Sequence, residues 1–211
     1  MINVRQNRIF SYILNKKFSI LAFSIGFILM AFLVFPQPDM LMGGGDVTDI
    51  WKTITSFRSE NIYPSYVLYK GFLSVYPYIW LYEASEFFGL GSWFFIKLYQ
   101  CLLFAYAVGI GLPYSISRIL KINIKGYRQL ILPFILFILF KSTMALTTMT
   151  VDLPSWVIFV LSVNACLKIA DKNKKTGIVY YIYTGLCIGL CFCLSGQYSL
   201  SALILVIFVI I

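Results

Sequence analysis

The sequence predicts an all-α polytopic membrane protein: a single transmembrane domain over 1–211, with about six transmembrane helices plus interfacial helices in the first outer loop. Three observations predict it. The chain is 60% hydrophobic and only 12% charged, which leaves no room for a sizeable soluble domain. Apolar runs of about twenty residues, long enough to cross a bilayer, recur from end to end. Lys and Arg gather in short clusters between those runs, as they do in cytoplasmic loops. The net charge of +9 is therefore a loop property, and no interleaved basic and aromatic surface points to nucleic acid.

The first run, 18–35, follows Arg5, Arg8, Lys16 and Lys17. Pro36-Gln37-Pro38 comes next in place of a small-residue cleavage site, so the run reads as an uncleaved span with a cytoplasmic N-terminus. The second span, 93–117, must return, because Arg118, Lys121, Lys125 and Arg128 follow it. Between them, 46–90 reads as an outer loop. Its stretch 66–90 is long enough to cross, but a crossing would put the later basic clusters outside. It also holds Lys70, Pro77, Glu83 and Glu86, which are expensive in hydrocarbon. Two interfacial or re-entrant helices broken near Pro77 are expected there.

The third span, 129–147, goes out, and a short loop carries Asp152. The fourth, 154–170, returns to Lys168, Lys172, Lys174 and Lys175. The fifth, 176–195, goes out to a tight Ser195-Gly196-Gln197 turn. The sixth, 198–211, covers only ~21 Å as a helix against a hydrocarbon core of ~30 Å. The chain thus reads as the N-terminal portion of a longer multi-pass protein of the plasma (inner) membrane.

Asp46, Asp49 and Asp152 all fall on the outer side of this topology, where a lipid-linked sugar would meet water. Residues 46–58 form an amphipathic stretch with Val47, Ile50, Trp51, Ile54 and Phe57 on one stripe. Asp46 can cap that helix, with Asp49 as the acidic third residue of a capping-box variant. Alternatively, Gly43-Gly44-Gly45 lets a carboxylate face the membrane surface. Asp152, before Leu153 and Pro154, makes a good helix start, and a capping carboxylate keeps an oxygen for other work.

Lys52, Arg58, Lys70, Lys97 and Lys141 are the basic residues outside the cytoplasmic clusters. Lys97 and Lys141 lie within spans, where an ionisable group is a functional hypothesis by default and snorkelling the alternative. Arg58, Lys70, Lys97 and Lys141 together could bind a phosphate at the membrane boundary. Tyr63, Tyr66, Tyr69, Tyr76, Tyr78, Trp80, Tyr82 and Trp93 read as an interfacial aromatic belt. The five cysteines fall in apolar segments and read as packing. With no histidine, His-based acid–base catalysis is excluded.

In layout, the chain resembles the GT-C superfamily of integral membrane glycosyltransferases, in the group of protein O-mannosyltransferases and aminoarabinose transferases. Gly45-Asp46-Val47-Thr48-Asp49 matches the acidic position after the first span. Thr150-Val151-Asp152-Leu153-Pro154 through Lys168 matches the second acidic loop and its basic-ended span. Gly185-Leu186-Cys187-Ile188-Gly189-Leu190 through Gly196-Gln197-Tyr198 matches a Gly-rich span turning tightly into the next. The acids here are Asp-x-x-Asp, where many members show an adjacent pair, and no Arg precedes Asp152.

The resemblance implies transfer of a sugar from a polyprenyl-linked sugar donor to a glycan or lipid acceptor, among membrane lipids, in cell-envelope assembly. Asp46 would be the general base. Asp49 or Asp152 would orient the acceptor, or Asp46 and Asp49 would hold Mg²⁺ or Mn²⁺ in an oxygen-only site. Arg58, Lys70, Lys97 and Lys141 would neutralise the departing phosphate. The rival expectations are an envelope polysaccharide polymerase, a lipid-linked oligosaccharide flippase or transporter, and a non-catalytic membrane fragment. A transporter would carry charges along a path across the bilayer, whereas these gather near one face.

Overall fold

In lipid a backbone must satisfy its own polar groups, and the helix does so within one segment. Accordingly, all regular structure among the described residues is helical. The computed structural model describes residues 2–37, 50–56, 72–91, 93–122, 124, 126–140, 152–170, 177–194 and 204. The helices are α1 (Ile2–Val34), α2 (50–56), α3 (Phe72–Phe87), α4 (Phe94–Ile119), α5 (Tyr127–Phe140), α6 (Asp152–Ile169) and α7 (Ile178–Leu194). Three stretches are long and apolar enough to cross a membrane: Lys16–Val34, Phe94–Ile119 and Asp152–Ile169. Tyr127–Leu139 and Ile178–Cys191 are shorter apolar helices. Most of the expected sixth span, 198–211, lies outside the described residues.

Two expectations about helix limits change. Helix α1 begins at Ile2, well before the apolar run, so its basic N-terminal segment is helical too. Helix α3 runs unbroken through Pro77 instead of splitting there. The missing N–H of Pro77 costs a single intrahelical bond, to the Leu73 carbonyl.

Contacts fix the directions of the helices. Phe35 meets Phe94 at 5.8 Å between ring centroids, while Gly26 faces Ala105 and Gly109 faces Phe23, so α1 and α4 are antiparallel. Helix α5 starts beside Ser19 and Gly109 through Gln129, and its Phe137 reaches Phe104 at 6.4 Å. It therefore runs with α1. Ser115 meets Asn164 and Gly111 faces Val160, so α6 runs with α4. Lys168 touches Tyr180, and Ser162 Oγ lies 3.3 Å from Cys191 Sγ, so α7 turns back along α6.

At the centre, α1 and α4 touch backbone to backbone. A Cβ on Gly109 would lie 2.5 Å from Phe23 N and 2.9 Å from Ala22 C. A Cβ on Gly26 would lie 2.8 Å from Val108 Cγ2 and 3.2 Å from Ala105 Cα. Small residues at a helix interface allow the van der Waals contact that drives association in lipid. Around this seam Met30, Val34, Cys101, Phe104, Ala107, Val108, Leu153 and Val157 form one buried cluster. Phe32, Leu102, Ile138 and Leu186 are among the large apolar side chains left exposed, as lipid-facing positions are.

Within α4, Ala107–Gly111 is a π-helical turn, closed by Leu112 N–H donating to Ala107 O. The sequence supplies a cause. Pro113 has no N–H to give Gly109, the carbonyl four residues back, and its ring crowds that carbonyl. Buried Gln129 of α5 fills the gap: its Nε2 donates to Gly109 O at 2.7 Å and to Ser19 Oγ at 3.0 Å. Asn164 of α6 donates to Gly111 O at 3.2 Å, an oxygen that Ser115 Oγ also reaches at 3.2 Å. Ser115 donates to Asn164 Oδ1 at 2.5 Å, and the Tyr106 hydroxyl bonds to Asn164 as well.

Gly109→Ala is expected to lower stability by about 1–3 kcal/mol, because α1 backbone must move to admit the methyl. Gly185→Ala, where a Cβ meets nothing within 4 Å, should be neutral or stabilising by up to about 1 kcal/mol. Thermal unfolding in detergent compares the two, and equal midpoints would contradict the close seam.

Candidate functional site

The corner between α3 and α4 sets the position of Lys97. Helix α3 ends at Gly89, whose φ of +65° suits glycine. Leu90 N–H donates to Ser85 O and Gly89 N–H to Glu86 O, both at 3.0 Å, which is a Schellman closure. Buried Ser85 then accepts the Phe95 N–H at 3.0 Å, satisfying one orphan donor at the start of α4.

A second, smaller core braces this corner. Ile50, Ile54, Val75, Tyr78, Ile79, Trp93 and Ile96 are buried together, joining α2, α3 and the first turn of α4. Trp51 stacks on Trp93 at 5.0 Å and meets Tyr82 edge-on at 5.5 Å. The apolar stripe read from Ile50, Trp51 and Ile54 thus packs inward, and Lys52 on the same helix stays exposed.

So held, the Lys97 ammonium donates to Gln37 O at 2.9 Å and to Phe35 O at 3.5 Å. These carbonyls are at the end of α1, where the helix dipole presents partial negative charge. Lys97 therefore pins the end of α1 to the start of α4 and places a fixed positive charge there.

Asp152 opens α6, half-buried, where a carboxylate complements the helix dipole. Its neighbour Leu153 packs with Met30, Val34 and Cys101, and Cys101 is one turn beyond Lys97. The fold therefore brings Asp152 and Lys97 to the same end of the bundle. Asp46, Asp49, Arg58, Lys70 and Lys141 lie outside the described residues, and the proposed Mg²⁺ or Mn²⁺ ligands with them. The chain that carries Asp46 and Asp49 leaves α1 at this same end. Among the described residues, no group of three or more His, Cys, Asp or Glu could hold a metal ion.

The opposite end gathers the cations. Lys16, Lys17, Arg118, Lys121 and Arg128 are exposed there, and Lys168 lies 3.9 Å from the Tyr180 ring centroid. The bundle is electrostatically two-ended: acid and clamped ammonium at one end, exposed basic clusters at the other.

Charge-based reading missed the interior polar layer of Ser19, Tyr106, Ser115, Gln129 and Asn164, all of them neutral residues. The sequence signal was Gly109-Ile110-Gly111-Leu112-Pro113, where a proline strips a carbonyl of its donor inside a span. Cys101, Cys166, Cys187 and Cys191 are buried, as packing residues are, whereas Cys193 is exposed.

Lys97→Met should cost about 1–2 kcal/mol, since the α1 carbonyls lose a charged donor. Lys97→Arg should retain most of that stability. Unfolding in detergent reads both, and a Lys97→Met midpoint equal to the parent would show that the ammonium does not clamp α1. No family model, no curated protein and no solved structure matches the chain.

Proposed function

We propose that this chain belongs to a GT-C-type membrane glycosyltransferase. In this reading it moves a sugar from a polyprenyl-phosphate-linked donor to an acceptor at the non-cytoplasmic face of the plasma membrane. In this reading the chain has about six spans, the sixth partial, the N-terminus is cytoplasmic, and 46–90 stays on the outer side. The observation that carries the reading is the two-ended charge distribution. Asp152, Lys97 and the exit of α1 toward Asp46 and Asp49 share one end, and exposed basic residues occupy the other. By the positive-inside rule the acidic end faces outward.

The chemistry follows from charge and position. The acceptor hydroxyl gives its proton to Asp46 as its oxygen attacks the anomeric carbon. The bond from that carbon to the donor phosphate oxygen breaks, and the electron pair leaves with the polyprenyl phosphate. Arg58, Lys70, Lys97 and Lys141 neutralise the leaving phosphate. Asp49 and Asp152 orient the acceptor, and an oxygen-only set including Asp46 and Asp49 suits Mg²⁺ or Mn²⁺. Lys97 acts from its place on the α1 carbonyls, so its charge is positioned before substrate arrives.

Membranes carrying the protein should transfer sugar from synthetic polyprenyl-phosphate donors, with mannose and aminoarabinose as the first probes. Asp46→Asn should lower turnover by roughly 10²–10⁴-fold while leaving photo-crosslinking to a polyprenyl phosphate intact. Asp152→Asn should lower turnover less. Parent-level transfer by both variants would remove the catalytic assignment.

A further inference from the structure

We infer that the π turn of α4 is a register element: its extra residue sets the rotational position of the outer half of α4, and with it the position of Lys97. A π bond closes on the fifth residue back, where an α bond closes on the fourth, so the turn accommodates one residue more than an α turn does. Leu112 N–H bonds to Ala107 O, five residues back. Beyond this turn, Ala107 N–H is shared between Leu103 O and Phe104 O, returning the helix to α geometry.

The inner half of α4 is fixed by α6, through Ser115 and Gly111 on Asn164. The outer half is fixed by α1, through Lys97 on Gln37 and Phe94 on Phe35. Both sets of contacts form at once only because of the added residue. If the same residues formed an uninterrupted α-helix from Ser115 outward, each position before the turn would rotate by about 100°. Lys97 would leave the α1 carbonyls, and Cys101, Phe104 and Ala105, all buried, would turn away from the core.

The turn is also tied in place. Gln129 holds Gly109 O, Asn164 holds Gly111 O, and Gly109 lies against the α1 backbone. Ile110, at 40% exposure, is the one exposed residue of the turn.

The test uses deletions in the full chain, with the native cysteines replaced, Phe35→Cys and Phe94→Cys added, and Pro113→Ala to let a regular helix close. Deleting Ile110 removes the extra residue and should leave the 35–94 crosslink within twofold of the undeleted chain. Deleting Leu102, in the regular part of the same helix, should reduce the crosslink at least tenfold or abolish folding. Circular dichroism reports folding in each arm. The inference is overturned if the Ile110 deletion unfolds the protein or loses the crosslink. It is equally overturned if the Leu102 deletion crosslinks as the undeleted chain does.

Discussion

The rest of the structure depends on the contact of α1 with α4 at Gly26 and Gly109. Lipid offers apolar side chains no reason to prefer one another, so association must come from close packing and from polar ties. Here the two coincide. Gly109 brings backbone against backbone, and its own carbonyl, left without a helical donor by Pro113, is answered by Gln129. The same glycine that permits the approach thus recruits a third helix. Asn164 ties a second carbonyl, Gly111 O, two residues on and brings in a fourth helix.

That central tie controls what happens at the ends. Because α1 and α4 are antiparallel and pinned by Lys97, the chain leaves α1 and enters α4 at one end of the bundle, where α2 and α3 pack against the start of α4. Helix α6 runs with α4, which delivers Asp152 there too. Conversely, the basic residues reach the other end without touching the seam. A segregation of charge that looks like a loop property in the sequence is, in the fold, a consequence of helix direction.

How much was legible beforehand varies with the physics. The apolar runs of α1, α4 and α6 were plain, since bilayer thickness sets their length. The stripe through Ile50, Trp51 and Ile54 was legible from its period and packs as read. Pro77 misled, because a proline costs a helix a single hydrogen bond and need not end it. The π turn was invisible to hydropathy, because Ala107 to Gly111 are apolar in either hydrogen-bond register. The Lys97 clamp was seen as an intramembrane charge, but its partners are backbone carbonyls from sixty residues earlier, which no local pattern encodes. Asp46, Asp49, Arg58, Lys70 and Lys141 remain readings of the sequence.

The most direct measurement is membrane sidedness. Single cysteines at Thr48, Asn123 and Lys174, in a chain otherwise free of cysteine, would be labelled by an impermeant maleimide on intact cells and again after permeabilisation. Labelling of position 48 from outside, with 123 and 174 reached only after permeabilisation, is the predicted result. Labelling of 123 or 174 on intact cells would put basic and acidic ends on the wrong sides, and the proposed outer-face site would fall with it.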